Sequence, residues 1–85
     1  MVRNRIVVGA TGTDEPVRRT ARRLRDEGHE VVFVGGGQTP EQLVATCVAE
    51  DAARIVVDTD DAGLAAIRRV AQAQGEDAPI VERAV

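Results

Sequence analysis

Carboxylate side chains follow two apolar segments of this chain, at positions where buried strands are expected to end. Asp14 comes after the first such segment, and Asp58 and Asp60 come after the third. Clustered carboxylates can hold Mg²⁺ or Ca²⁺. The alternative is that Asp60 or Asp61 caps a helix, because the N-terminus of a helix favours negative charge and side-chain acceptors. Asp14, Asp58 and Asp60 are therefore weak metal candidates, and no metal is assigned.

Other reactive residue types are scarce. The chain has one histidine, one cysteine and no lysine. We expect His29 in the turn before the second strand, at the end of the sheet opposite the carboxylates. Cys47 falls on the apolar stripe of a predicted helix, which favours a buried packing role. The sequence therefore predicts no catalytic residues, no intrachain disulfide and no cysteine metal cluster.

The charge and composition exclude several classes of partner. The formal net charge of the 85 residues is -3, which argues against nucleic acid as the main partner. The first residues do not show the apolar segment of a secretory signal, and no run approaches the roughly 20 apolar residues of a membrane span, so we expect neither. We therefore expect a cytoplasmic protein with no membrane partner. Aromatic residues are 1% of the chain, which predicts a core of Val, Ile, Leu and Ala.

Strand-like and helix-like segments alternate along the chain. Strands are predicted at residues 6–9, 30–34, 54–57 and 78–82, and helices at residues 16–27, 40–51 and 61–74. Thr39, Pro40 and Gln42 have the spacing of an N-cap, a first-turn proline and a capping box. The alternation predicts an α/β fold, a flavodoxin-like (Rossmann-like) parallel sheet of strand order 2-1-3-4 with helices on both faces. Ligands of such sheets bind at the switch point, here between strands 1 and 3.

Several segments resemble a known family when taken together. They are Gly12-Thr13-Asp14, the QTPEQLV segment at residues 38–44, the AEDA segment at residues 49–52 and the strand at residues 55–57. They resemble the cobalamin-binding domain of the methylmalonyl-CoA mutase family over roughly residues 3–82, most specifically at residues 38–41. The resemblance implies one cobalamin-binding-like domain over residues 1–85. It also implies five cofactor-binding residues: Gly12, Thr13, Asp14, Thr59 and Gly63.

The chain departs from this family at the residues that hold the cofactor. The family ligates cobalt through the histidine of a DxHxxG loop. Here Asp14 matches the Asp, but Pro16 stands at the histidine and Arg19 at the glycine. The SxL motif falls on residues 58–60, the family's Gly-Gly falls near residues 82–83, and its last strand and helix have no counterpart in these 85 residues. We therefore expect that histidine-ligated cobalamin binding has been lost.

Three function classes stay open on the sequence. The first is a non-catalytic module that self-associates, or that serves as a small subunit of an acyl-CoA mutase assembly beside a large subunit. Its contact surface would be the edge of strand 4 or the basic stripe of Arg18, Arg22 and Arg25. The second is a module that binds cobalamin without a histidine, or another nucleotide, at the strand 1 loop. The third is an isomerase subunit whose reaction takes place in a separate barrel subunit.

A dinucleotide site at the same loop is disfavoured. The Gly9-Ala10-Thr11-Gly12 segment resembles the start of an NAD(P)-binding loop. The third glycine of that motif would fall on Glu15, whose carboxylate would repel a pyrophosphate. A close turn between strand and helix explains the two glycines equally well.

Overall fold

The predicted alternation of strands and helices is present in the computed structural model, which describes residues 5–84. The strands are β1 (Arg5–Ala10), β2 (Glu30–Gly35), β3 (Arg54–Asp58) and β4 (Ile80–Arg83). The helices are α1 (Glu15–Asp26), α2 (Pro40–Ala49) and α3 (Asp61–Gln72), and a 3-10 turn (Gly75–Asp77) precedes β4.

The four strands form one parallel sheet of order β2-β1-β3-β4. This order and the flavodoxin-like α/β fold were both predicted from the sequence and are confirmed. β1 lies between β2 and β3, with Val7 opposite Val32 on one side and Ile55 on the other. The chain crosses from β1 to β3 by way of β2, so the switch point lies between β1 and β3.

Helices cover both faces of the sheet. α1 packs Val17, Ala21 and Leu24 against Ile6 and Val8. α2 and α3 pack on the opposite face, where their buried residues join one cluster with alternate residues of the strands: Val7, Leu43, Val44, Cys47, Ala52, Ile55, Val57, Ile67, Ala71 and Val81. Side chains of successive strand residues point to opposite faces, so the two cores share the central strands. Each fully buried aliphatic side chain contributes about 1.5–3 kcal/mol.

Local signals in the sequence set the helix starts. The Gln42 amide donates to Thr39 Oγ1 at 3.1 Å, and the Thr39 amide donates to Gln42 Oε1 at 2.9 Å, which is the predicted capping box. Asp60 caps α3 by accepting from the Gly63 amide at 2.7 Å. The helix-capping interpretation of Asp60 is therefore confirmed.

Cys47 is buried in the α2 and α3 core, as predicted. Its thiol lies 3.2 Å from the carbonyl oxygen of Ala52, to which it donates. It is 1% exposed, so it acts as a small packing residue of that core. Within residues 5–84, none of the helices has the length and apolar character that crossing a membrane requires.

Candidate functional site

The loops after β1 and β3 meet at the carboxyl edge of the sheet, as the strand order requires. The Thr11 amide donates to the Asp58 carbonyl at 3.2 Å. The Thr11 hydroxyl donates to the Thr59 hydroxyl at 2.9 Å. These two bonds join the first and third loops at the predicted switch point, so residues chosen from both loops lie in one region.

The loop after β2 contacts the loop after β1 through two backbone hydrogen bonds. The Gly37 amide donates to the Gly12 carbonyl at 2.8 Å, and the Gln38 amide donates to the Ala10 carbonyl at 3.0 Å. A Cβ at Gly36 would collide with the Gly12 carbonyl oxygen and would lie 2.8 Å from the Asp14 nitrogen. The three successive glycines at residues 35–37 are a local signal for close packing. The loop that they contact is distant in sequence, so the signal does not identify it.

The strand 1 loop presents little chemistry of its own. Gly12 and Thr13 are exposed, and a Cβ at Gly12 would meet no atom within 4 Å. Asp14 is half-buried and pairs with Arg18, whose Nη2 lies 3.2 Å from Asp14 Oδ2. Its backbone carbonyl accepts from the first turn of α1. Asp14 therefore serves the start of α1, and the open surface of this loop is at Gly12 and Thr13.

Thr59 and Gly63 form a packed unit at the start of α3. A Cβ at Gly63 would collide with Thr59 Oγ1 and would lie 3.2 Å from Thr59 Cβ. Thr59 cannot turn away freely, because its hydroxyl accepts from Thr11. Gly63 therefore lets the loop after β3 pack against α3, which is a structural reason for a glycine here.

Arg83, at the end of β4, contacts the loop after β3. Arg83 Nε donates to the Thr59 carbonyl at 3.0 Å, and Arg83 Nη1 lies 2.7 Å from Asp61 Oδ1. Sequence reasoning did not assign Arg83 to the site. The available signal was its position at the carboxyl end of a strand next to an acidic loop, where the ends of parallel strands gather.

The weak metal candidates are not gathered into one centre. Within residues 5–84, no group of three or more His, Cys, Asp or Glu side chains could hold a metal ion. Asp14 pairs with Arg18, Asp60 caps α3, and Asp58 is half-buried with its carbonyl bonded to Thr11. The carboxylates of Asp14 and Asp60 therefore have protein partners, whereas the bond of Asp58 is made by its backbone carbonyl.

The residues present do not fit a histidine-ligated cobalamin. Pro16 occupies the first turn of α1, is exposed, and has no side-chain nitrogen that could reach a cobalt ion. His29 lies before β2, at the opposite end of the sheet, as predicted from the sequence. It is half-buried there, with Nε2 3.9 Å from Glu27 Oε1. The imidazole of this chain and the strand 1 loop are therefore separated by the length of the sheet.

α1 has a cleft along each side. The cleft toward the strand 1 loop has a volume of about 530 Å³ and is lined by Thr13, Glu15, Pro16, Arg19, Thr20 and Arg23. The other has a volume of about 300 Å³ and includes the predicted basic stripe of Arg18, Arg22 and Arg25, together with Phe33. Sequence reasoning identified the stripe of Arg18, Arg22 and Arg25. It did not identify Glu15, Arg19 and Arg23, although these residues are spaced four apart and therefore share another face of α1.

The fold and these loops define a flavodoxin-like parallel α/β domain whose switch-point loops are joined by hydrogen bonds. The sequence is similar to the 2-hydroxyisobutanoyl-CoA mutase small subunit of Aquincola tertiaricarbonis, with 46% identity over 44 residues. The match takes in 52% of this chain and 32% of that protein, so the aligned part is about a third of the relative's length. No protein-family model matches the sequence. The similarity supports the expected relation to mutase small subunits.

Proposed function

We propose that this chain is a non-catalytic accessory module of an acyl-CoA mutase-type assembly, with the scaffold of a cobalamin-binding domain but without histidine-ligated cobalamin. The observation that carries the proposal is the 46% identity over 44 residues with a mutase small subunit. The flavodoxin-like sheet of order β2-β1-β3-β4 agrees with the fold of that domain. The proposal treats residues 1–85 as one such domain.

The missing imidazole supports the cofactor part of the proposal. Pro16 stands where the resemblance places the cobalt ligand, and Arg19 stands where it places a glycine. Arg83 lies across the loop after β3 and pairs with Asp61, which adds a bulky cation to the edge that the corrin would approach. Each change acts in the same direction, against a bound corrin.

The arrangement of polar groups supports the non-catalytic part. Within residues 5–84, the side-chain hydrogen bond between the two switch-point loops joins the hydroxyls of Thr11 and Thr59, and neither hydroxyl is hydrogen-bonded to a carboxylate or an imidazole. Asp14 and Asp61 are held in ion pairs with arginines. Chemistry on an acyl-CoA would then come from another subunit, and this chain would belong to an isomerase without being one itself.

The open edge of β4 is the surface that we assign to the protein partner. The Ile80 and Ala84 amides donate to the carbonyls of Ala53 and Val57, so the alternation of the strand directs the amide and carbonyl of Val81 away from β3. Arg68 Nη2 donates to the Val81 carbonyl at 3.2 Å and takes one of these groups. Ile80 is 61% exposed beside them. An edge strand that no further strand covers, with an exposed apolar side chain, favours pairing with another chain, either a second copy or a large subunit.

Association of the purified chain tests this role. Sedimentation velocity is measured with the chain alone over a concentration series, and then with an acyl-CoA mutase large subunit encoded in the same genome. We expect a complex in at least one series, and we expect Ile80→Lys to weaken it at least tenfold. Val48→Lys is the matched control, since Val48 is also exposed, at 53%, but lies on α2.

The outcomes separate the surfaces. Loss of the complex in Arg18→Glu with Arg22→Glu, but not in Ile80→Lys, would move the interface from β4 to the basic face of α1. Absence of any complex in both series would contradict the accessory role.

A second candidate function, a small molecule bound at the strand 1 loop, is favoured by the open space beside Gly12 and the exposed Thr13. That candidate includes cobalamin bound without a histidine ligand.

A further inference from the structure

The cleft between α1 and the strand 1 loop brings polar side chains of α1 together with Thr13 of that loop. It is an open depression of about 530 Å³ beside the first two turns of α1. A cleft of this volume can take a ligand of nucleotide size. Its polar side chains are two arginines, two threonines and one glutamate. The inference drawn from them does not rest on the accessory role proposed above.

Thr20 is the buried polar residue of this cleft. It is 4% exposed and is a polar residue within the buried set of residues 5–84. A helical threonine hydroxyl usually donates to a carbonyl one turn earlier. The Thr20 hydroxyl makes no such bond, nor any other, within the described part of the chain. No fully enclosed side-chain N or O atom of the described residues lacks a partner, so the Thr20 hydroxyl keeps some access to solvent, and Thr20 lines the cleft.

Two arginines line the cleft together with Thr20. Arg19 and Arg23 are one turn apart on α1, so they stand on the same face of the helix. Arg19 makes no hydrogen bond or ion pair with any residue of the range 5–84. Arg23 Nη1 lies 3.4 Å from Glu27 Oε2, but both side chains are about half exposed, and such a pair is weak. Both arginines can therefore donate to an anion in the cleft.

We propose that this cleft binds the phosphate groups of a small phosphorylated molecule. Arg19 and Arg23 supply charged, forked donors, and Thr20 and Thr13 supply hydroxyl donors from the helix and the adjacent loop. Arginine forks match the geometry of phosphate oxygens and give charge-assisted hydrogen bonds. A diphosphate can span two arginines one turn apart and still contact the hydroxyls, so a diphosphate or nucleoside diphosphate fits this donor set best.

The Glu15 carboxylate would weaken the binding of such a ligand. Substitutions at Glu15 and at the donor residues should therefore change the affinity in opposite directions. Glu15 is the first residue of α1 and lines the same cleft, and its carboxylate would repel a phosphate. Removing its charge should therefore strengthen binding, whereas removing a donor should weaken it. An arginine on the other side of α1 should have little effect. Arg22 is that control, because it lines the cleft beside Phe33 instead.

The experiment is a titration of the full chain with pyrophosphate, ADP and sulfate in turn. Binding is measured by calorimetry and by the amide chemical shifts in NMR spectra. We expect saturable binding of pyrophosphate or ADP, with shifts centred on Thr13, Arg19 and Thr20. Arg19→Gln should weaken binding at least tenfold and Thr20→Val at least threefold. Glu15→Gln should strengthen it about twofold or more, and Arg22→Gln should change it less than twofold. The spectrum of each variant without ligand reports whether it is folded.

Each result decides for or against the site. Tighter binding of ADP than of pyrophosphate would identify a nucleotide, and equal binding would identify the diphosphate group as the whole determinant. Either result supports the proposal if Arg22→Gln leaves the affinity unchanged. Equal losses in Arg19→Gln and Arg22→Gln would show attraction to the whole basic helix and would overturn the proposal. Absence of saturable binding by all three anions, or sulfate binding as tightly as both phosphates, would also overturn it.

Discussion

Gly63 shows how a single residue at the site is determined by packing. A Cβ at this position would enter the space of Thr59 Oγ1, and Thr59 Cβ lies only 3.2 Å from it. Thr59 is held by its bond to Thr11, so the threonine cannot move aside without losing a contact between the first and third loops. The glycine that resembles a family cofactor residue is therefore explained by the local structure alone.

The first prediction concerns this contact. Alanine has a higher helix propensity than glycine, which would stabilise Gly63→Ala by up to about 1 kcal/mol. Overpacking against Thr59 costs about 1–3 kcal/mol, so we expect a net destabilisation of about 1 kcal/mol. The measurement is the free energy of unfolding in urea. In a Thr59→Ala background the substitution should become neutral or stabilising, and an equal loss in both backgrounds would contradict the collision.

Pro16 and Arg19 show what a residue comparison can and cannot give. Neither side chain takes part in the fold's hydrogen bonds or ion pairs within residues 5–84, so no polar contact of the scaffold depends on them. Sequence reasoning interpreted Arg19 only as an obstacle to a corrin. The structure places it in a cleft with Arg23 and the buried Thr20, which is information that depends on the helix face and on burial.

At the scale of elements, the helix starts follow from short sequence signals. Thr39 and Gln42 bond each other's amides at 3.1 Å and 2.9 Å, and Pro40 begins α2. All of these groups lie within four consecutive residues, so the sequence contained the whole interaction. The alternation of strands and helices was predicted for the same reason, since periodicity and caps are local properties.

The second prediction concerns the α2 cap. Thr39→Ala removes the acceptor of the Gln42 amide, and the free energy of unfolding should fall by about 1 kcal/mol. Thr39→Ser keeps the hydroxyl and serves as the control, with a change of a few tenths of a kcal/mol. Thermal unfolding followed by circular dichroism measures both. Equal melting temperatures for the two variants would show that the capping box does not contribute to stability.

The contact between the loops after β1 and β2 could not be predicted in this way. Gly36 packs against the backbone of residues 12–14, more than twenty positions earlier in the chain. Arg83 reaches Thr59 and Asp61 from β4, again across a long separation. Such contacts arise when parallel strand ends are brought together, and no local pattern shows which side chains will meet.

The third prediction follows from the Gly36 contact. A methyl group at Gly36 would press on backbone atoms, the Gly12 carbonyl oxygen and the Asp14 nitrogen, which cannot rotate away as a side chain can. We expect Gly36→Ala to destabilise the protein by about 1–3 kcal/mol and to shift the amide resonances of the strand 1 loop. Gly12→Ala is the matched control, since a Cβ there meets nothing within 4 Å. A larger loss in the control would contradict this packing.

At the scale of the whole molecule, charge is distributed unevenly. α1 carries five arginines, whereas the formal net charge of the chain is -3, so the acidic residues are concentrated elsewhere. The basic helix lies on one face of the sheet, and the exposed Ile80 lies at the β4 edge. The molecule therefore presents a cationic face at α1 and, apart from it, an edge at β4 with the exposed side chain of Ile80.

The fourth prediction follows from that separation. Ile80→Lys should weaken protein association without changing the affinity for pyrophosphate more than twofold. Arg19→Gln should weaken pyrophosphate binding while association remains within twofold of the unchanged protein. Sedimentation and calorimetry on the same two variants test both statements. A variant that lowers both activities together would show that the cleft beside α1 and the β4 edge belong to one interface.

The most direct test of the account is a titration of the purified chain with hydroxocobalamin and adenosylcobalamin, followed by visible absorbance and melting temperature. Pro16 at the ligand position predicts that neither spectrum changes to that of a histidine-coordinated corrin and that the melting temperature stays constant. A saturable change to a histidine-coordinated spectrum would contradict the central claim. Saturable binding without that spectral change would assign the strand 1 loop as a corrin site of a different kind and would make Thr13 and Thr59 the residues to substitute next.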